Sequence, residues 1–287
     1  MNILVTGQSG QLGSELGTIL SSLGKVILTD RQAMNLDDPA GMRGFIASHR
    51  PNVIVNAAAY TAVDKAEAEP ELAHRVNCIG PMILAEEAGK LGALLVHYST
   101  DYVFDGKKSG SYLESDAPAP LNVYGRTKLD GEDAIRASGC RHLIFRTSWV
   151  YGVRGSNFLL TMLRLLRERP LLKVVNDQIG APTSTATIAN LTRDVLRQDA
   201  KQEGTFHLST SGHTSWHGFA RLIAAECGHD PDRIQPIPSL EYPTAATRPA
   251  NSILDCSRLN LVYGCTPPSW DDEARRVLKS MKMGMLK

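Results

Sequence analysis

Short apolar runs at 2–6, 25–29, 53–56, 94–98 and 143–146 punctuate the first half of the chain. They are rich in Val, Ile and Leu and nearly continuous in their apolarity, as strands are when helices cover both faces of their sheet. Amphipathic stretches lie between them. Residues 11–23 place Leu12, Leu16, Ile19, Leu20 and Leu23 at helical spacing. Residues 39–49 and 72–91 also read as helices leading into a strand, with Pro81 expected to kink or divide the second. Repeated strand–helix units predict an α/β fold with a parallel, doubly wound sheet.

The second half is less regular. Residues 157–167 (Phe158, Met162, Leu165, Leu166), 187–196, 215–227 and 271–281 read as helices, the third N-capped by Thr214 or Ser215. Residues 172–175 and 205–208 read as strands. Pro231, Pro236, Pro238, Pro243, Pro249, Pro267 and Pro268 break the C-terminal region into short pieces. The expected organisation is a sheet domain over 1–150, completed by segments within 172–212, and a smaller lobe mainly over 151–287. No internal repeat or low-complexity tract is visible.

Composition narrows the class. A chain of 287 residues, 43% hydrophobic, has ample material for a core. Lys and Arg number 31 against 30 Asp and Glu, so no basic excess marks a nucleic-acid partner. No apolar run is long enough to span a membrane. The opening Met1-Asn2-Ile3-Leu4-Val5 reads as a first strand rather than a signal peptide, so a cytoplasmic protein is expected. The cysteines (Cys78, Cys140, Cys227, Cys256, Cys265) are odd in number and widely spaced, which suggests neither a disulfide framework nor a zinc site.

Three features carry chemistry. Gly7-x-x-Gly10-Gln11-Leu12-Gly13 follows a strand and opens a helix, the context in which backbone N–H groups and a helix N-terminus receive a pyrophosphate. Asp30 ends the next apolar run, where an acid can accept hydrogen bonds from an adenosine ribose. Arg31 beside it could instead pair with a 2′-phosphate, so NADH and NADPH are both admitted. Tyr124 and Lys128 share one face of a helix by their spacing, and a neighbouring ammonium lowers the pKa of a phenol. Thr100 follows the 94–98 strand at its C-terminal end, where ligands sit in open α/β sheets.

Taken in order, Gly7-x-x-Gly10-x-x-Gly13, Asn56-Ala57-Ala58-Ala59-Tyr60, Ser99-Thr100-Asp101-Tyr102-Val103-Phe104 and Tyr124-Gly125-x-x-Lys128 resemble the extended short-chain dehydrogenase/reductases. Within them the chain is similar to the dTDP-4-dehydrorhamnose reductase family. The resemblance rests on Ala59-Tyr60-Thr61-Ala62-Val63-Asp64-Lys65-Ala66-Glu67, Phe145-Arg146-Thr147-Ser148-Trp149-Val150-Tyr151, Asn176-Asp177-Gln178-Ile179-Gly180-Ala181-Pro182-Thr183 and Arg248-Pro249-x-Asn251-Ser252.

That resemblance implies a Rossmann-type sheet with a smaller substrate-binding lobe. It also implies hydride transfer from NADPH or NADH to the 4-keto carbon of a dTDP-linked 6-deoxyhexulose. Tyr124 would protonate the developing alkoxide, Lys128 would hold the nicotinamide ribose and tune Tyr124, and Thr100 would hydrogen-bond the reacting oxygen beside Asp101. Gly10, Gln11 and Leu12 would cradle the pyrophosphate, Asp30 the ribose, Asn35 and Leu36 the adenine. Ala57, Ala58, Ala59 and Tyr60 would line the cofactor path. Trp149 matches the sugar-contacting Trp of the family, or is core packing. Arg248 suits a sugar-nucleotide diphosphate, or forms a surface ion pair. Asp177 and Gln178 would contact sugar or thymine, or form a turn.

Some members of the family dimerise through a magnesium ion held by glutamates. Glu15 matches one of them, but Thr183-Ser184-Thr185-Ala186-Thr187 and the tail from Met281 to Lys287 lack the partner acids, so Mg2+ is not expected and the chain is a monomer or homodimer. A nucleotide-sugar epimerase or dehydratase is a rival reading. So is a non-catalytic subunit that binds dinucleotide.

Overall fold

The computed structural model describes residues 1–284. β1 (Asn2–Thr6), α1 (Gln11–Leu20), β2 (Lys25–Thr29), α2 (Pro39–His49) and β3 (Val53–Asn56) open the fold. Two short helices, α3 (Val63–Ala66) and α4 (Pro70–His74), lead through a π-turn at Arg75–Ile79 into α5 (Gly80–Leu91) and β4 (Leu94–Thr100). α6 (Val123–Ala137) and β5 (His142–Thr147) follow. The second half contains β6 (Val150–Tyr151), α7 (Phe158–Glu168), β7 (Leu172–Val175), β8 (Ile179–Gly180), β9 (Thr183–Ser184) and α8 (Thr185–Leu196). It ends with β10 (Gly204–His207), β11 (Thr214–Ser215), α9 (Trp216–Glu226), β12 (Ile234–Ile237), α10 (Ser257–Tyr263) and α11 (Trp270–Gly284).

The central sheet is six-stranded and parallel, in the order β10-β5-β4-β3-β1-β2. Strand order reverses between β1 and β3, so a crevice opens there above the C-terminal strand ends. Period-2 alternation splits each strand between two cores. Ile3, Val5, Val96 and Phe145 pack under α1 and α8. Leu4, Ile54, Leu95 and Ile144 pack against α2, α5 and α6. A third cluster, with Leu159, Met162, Phe219, Ile223, Ile234 and Leu278, joins elements of the second half of the chain.

Several expectations change. β4 runs on to Thr100, because Ser99 and Thr100 still pair with Arg146 and Thr147 of β5. α1 stops at Leu20, where the Leu23 N–H turns back onto the Leu20 carbonyl. Pro81 does not divide its helix. It stands in the first turn of α5, and the wider π-turn just upstream absorbs its missing N–H. Ser215, not Thr214, caps α9 by accepting from the Gly218 N–H at 2.9 Å. β7 does not join the main sheet and pairs with β12 instead. β12 itself was hidden by Pro236, which a two-stranded edge tolerates.

Candidate active site

The crevice is built from strand ends. Beyond β1, the Gly10 N–H bonds the Gly7 carbonyl at 2.8 Å and α1 begins. A Cβ on Gly13 would lie 2.1 Å from the Gly7 carbonyl oxygen, so only glycine lets helix and turn close this far. The N-terminus of α1 has no side-chain cap and no acid in its first turn. Its N–H groups and dipole therefore fit the pyrophosphate of a dinucleotide.

The other residues expected around the cofactor are placed unequally. The Gln11 side chain crosses to the second half of the chain, donating to the Ser156 carbonyl and accepting from Asn157 at 2.8 Å. Leu12 is packed into the core. One Asp30 oxygen accepts from the N–H groups of Gln32 and Ala33, at 2.9 and 3.0 Å, folding its own turn, and Arg31 is exposed beside it. Asn35 likewise accepts from the Asp37 N–H. The Leu36 side chain is buried in the cluster that packs α2 and α5 on the sheet. Ala57, Ala58, Ala59 and Tyr60 are half-buried beyond β3. The Ala58 N–H donates to Thr6 Oγ1 at 3.0 Å, and the Tyr60 hydroxyl donates to Glu69 at 2.7 Å.

Beyond β4, Thr100 Oγ1 donates to Asp101 Oδ1 at 2.9 Å. Asp101 is 2% exposed, burial pushes its carboxyl up to about 7, and its second oxygen has no hydrogen-bond partner. Asn122 caps α6 by accepting from the Gly125 N–H at 2.8 Å, which sets Tyr124 in the first turn. A Cβ on Gly125 would lie 2.2 Å from the Tyr102 carbonyl oxygen, so glycine there allows α6 to press against the strand end. Tyr124 then meets Tyr102 edge-on, with centroids 5.8 Å apart. Burial pushes the Tyr124 phenol up to about 12.

The Lys128 side chain reaches back to β4. Its Nζ donates to the Tyr98 carbonyl at 2.6 Å and lies 3.1 Å from His97 Nε2. Burial lowers the amine to about 8, so its charge is lost just above neutral pH. Arg248 is also not free. It forks onto Asp64 at 2.7 and 3.1 Å, which is the ion-pair alternative, formed because Asp64 also anchors the Ala246 N–H. Trp149 lies face to face with Trp216, centroids 3.5 Å apart and planes 4° from parallel, with its backbone at a left-handed φ of 48°. Asp177 accepts from the Ser239 N–H and hydroxyl, and Gln178 from the Trp216 indole N–H, so these two organise a turn.

Glu15 lies on α1, and among the described residues no group of three or more His, Cys, Asp or Glu side chains is placed to hold a metal ion. Met285, Leu286 and Lys287 of the tail lie outside the described residues.

Asn56 and Asp64 stood in quoted motifs without a role of their own, and His97 and Trp216 were not singled out from the sequence. His97 carries a signal in retrospect, as a polar residue inside the apolar run at 94–98. Asp64 and Trp216 gain their roles only from contacts distant in sequence.

Comparison with known proteins places this geometry. The dTDP-4-dehydrorhamnose reductase of Escherichia coli (strain K12) is 42% identical over 293 residues, covering 98% of each chain. The crystal structure of a dTDP-4-dehydrorhamnose reductase from Clostridium acetobutylicum superposes with a TM-score of 0.94 at 38% identity, over 98% of this chain and 100% of that one. That of Bacillus anthracis, solved in complex with NADP, gives 0.93 at 35% identity, over 97% and 99%. The family model described as the RmlD substrate binding domain matches residues 1–283, and the chain belongs to that family.

Proposed function

We propose that this protein reduces the 4-keto group of dTDP-4-dehydro-L-rhamnose to dTDP-L-rhamnose with NADPH or NADH, the last step of dTDP-L-rhamnose synthesis. The observation that carries the reading is Thr100 at the C-terminal end of β4 with Tyr124 in the first turn of α6, packed on Tyr102 two residues beyond Thr100, on a sheet whose first strand leads into the glycine turn that opens α1. Reduced nicotinamide, when bound, supplies the hydride. The ketone oxygen gains negative charge as the hydride arrives at C4. Tyr124 gives that oxygen its phenolic proton, and Thr100 donates a hydrogen bond to it. Lys128 comes forward to the nicotinamide ribose, and its positive charge there stabilises the phenolate left on Tyr124. The turn of Gly7, Gly10 and Gly13 receives the pyrophosphate. Asp30 takes the adenosine ribose, and Arg31 a 2′-phosphate when one is present. Trp149 and Arg248 serve the sugar nucleotide.

No helix among the described residues is long and apolar enough to cross a membrane. The substrates are soluble metabolites, and we place the reaction in the cytoplasm, feeding rhamnose-containing polysaccharide. The test mixes the protein with NADPH or NADH and dTDP-4-dehydro-L-rhamnose. Expected are loss of the near-ultraviolet absorbance of the reduced cofactor and stoichiometric dTDP-L-rhamnose. Cofactor binding without turnover would instead support a non-catalytic subunit.

A further inference from the structure

Behind the proposed site, a chain of buried side chains runs from the cofactor turn to Lys128. Thr6 ends β1, Asn56 ends β3, and His97 stands inside β4, all of them 1% exposed or less. Thr6 Oγ1 is 2.7 Å from Asn56 Oδ1, Asn56 Nδ2 is 3.0 Å from His97 Nδ1, and His97 Nε2 is 3.1 Å from Lys128 Nζ. Neighbouring parallel strands hold the first three side chains in register, since Thr6 pairs with Asn56 and Asn56 with His97.

The protons along this chain can be counted from one end. The Ala58 N–H donates to Thr6 Oγ1, and the Thr6 hydroxyl donates its own proton to the Asn56 amide oxygen. The Asn56 NH2 group then faces His97. An NH2 group needs a lone pair, so His97 Nδ1 carries no proton. A neutral imidazole then has its single proton on Nε2, pointing at Lys128 Nζ. An ammonium has no lone pair to accept it. An uncharged amine does, and still has a proton for the Tyr98 carbonyl.

We propose that His97 is the positioning residue for Lys128, donating its Nε2–H to an uncharged Lys128 amine in the cofactor-free enzyme and tying that amine, through Asn56 and Thr6, to the turn that receives the cofactor. The inference rests on the role given to Lys128 in the proposed reaction. It makes the charge on Lys128 conditional. To protonate the amine while keeping the contact, His97 must move its proton to Nδ1 and the Asn56 amide must turn over. Leaving the contact for the ribose releases the amine from both constraints. The other charged and titratable groups around Lys128 are Tyr124 and Glu132 on its own helix and Tyr98 of β4, whose carbonyl it bonds. Glu132 is bound by Arg146 of β5 at 2.9 and 2.7 Å, and its charge still favours the protonated form of Lys128 against burial.

The test needs no turnover. Long-range 1H–15N spectra of the cofactor-free protein, labelled in histidine, distinguish the two imidazole tautomers, and His97→Gln identifies the resonance by its loss. The expected result above about pH 8, where the Lys128 amine is uncharged, is the Nε2–H tautomer. An Nδ1–H tautomer or an imidazolium would overturn the proposal. A second arm uses Thr6→Val, which removes the hydroxyl that orients the amide, and Thr6→Ser, which keeps it. Thr6→Val is expected to move His97 toward the Nδ1–H tautomer, and Thr6→Ser to leave it in place. Equal spectra for both would argue against the chain. In kinetics, His97→Gln offers an amide oxygen to the ammonium, so the inflection of Lys128 in the pH profile of kcat/KM should rise by about one unit, a tenfold change in its proton affinity. A histidine that only filled space would cost stability and leave the inflection unmoved. The spectra of the unaltered protein decide the matter even if a variant fails to fold, and they stand apart from whether the named sugar is the substrate.

Discussion

Arg248 and Asp64, 184 positions apart in sequence, form a two-pronged ion pair across the mouth of the crevice at 2.7 and 3.1 Å. Tyr102, which packs on Tyr124, feels both charges. A guanidinium already paired must leave its carboxylate before it can take a diphosphate. Asp64→Asn should then lower the KM for the sugar nucleotide severalfold. Arg248→Met should raise it roughly tenfold, the order of one charge-assisted hydrogen bond. Calorimetric titration with dTDP measures both. If the two variants weaken binding alike, the pair merely holds the 246–248 segment in place.

Tyr124 is the group most exposed to a direct kinetic test. With its phenol pushed up to about 12, it stays protonated through neutral pH and is ready as an acid. Tyr124→Phe keeps the ring on Tyr102 and removes that proton. A fall in kcat of about 10²–10⁴ is expected, with cofactor affinity retained. Thr100→Val should cost less, about 1–3 kcal/mol, since one hydrogen bond to the reacting oxygen is lost. A Tyr124→Phe enzyme keeping half its activity would remove the mechanism.

Asp101 gives a pH dependence of fixed sign. Its folded-state pKa, pushed up to about 7, lies above that of an unfolded aspartate. The folded state therefore binds the extra proton. The stability this confers is complete below about pH 4 and is lost as pH rises through about 7. Asp101→Asn, which cannot ionise, should gain Tm relative to the parent between pH 4 and 8. Thermal melts across that range check it, and a constant difference would mean that the buried carboxyl is not perturbed.

The glycine turn separates binding from folding. A Cβ on Gly10 meets only the Gly7 carbonyl oxygen, at 3.2 Å, and the position is exposed. Gly10→Val should therefore fold yet lose at least tenfold in NADPH affinity, because the side chain stands where the pyrophosphate approaches. Gly13→Ala, by contrast, forces α1 off the turn and should lower Tm as well. Fluorescence titration and melting of the two variants distinguish these effects.

Strand positions were legible because buried parallel strands announce themselves as continuous apolar runs, and β1, β2, β3 and β7 have the expected bounds. The order of the strands was not legible, since it is fixed by which helices cross which face. The short segments β12 and α10 were missed for a related reason. Each is stabilised by a distant partner, β7 and β10 respectively, rather than by its own periodicity. At the site, spacing brought Tyr124 and Lys128 onto one helix, but spacing could not say that the amine turns toward His97. The partners of Arg248 and Trp149 lie far away in sequence, so their present contacts could be offered only as alternatives.

Trp149 combines two features that pull against each other. Its backbone sits at φ 48°, a region costing a large side chain on the order of 1–3 kcal/mol, while its indole gains a stacked partner in Trp216. Strain of this kind survives only where the surroundings enforce it, and here it holds a flat aromatic surface just beyond β5. Two truncations separate the contributions. Trp149→Ala and Trp149→Gly lose the same stack, so both should raise the KM for the sugar nucleotide alike. They differ in the backbone. In ordinary strand or helix positions, glycine is less stable than alanine by roughly 0.5–1 kcal/mol. At a positive φ the order should reverse, with Trp149→Gly melting above Trp149→Ala by a few degrees. Thermal denaturation of the two proteins reads this directly. If alanine melted higher, the left-handed backbone would carry no strain, and the case for a conformation held at Trp149 for substrate would fall with it.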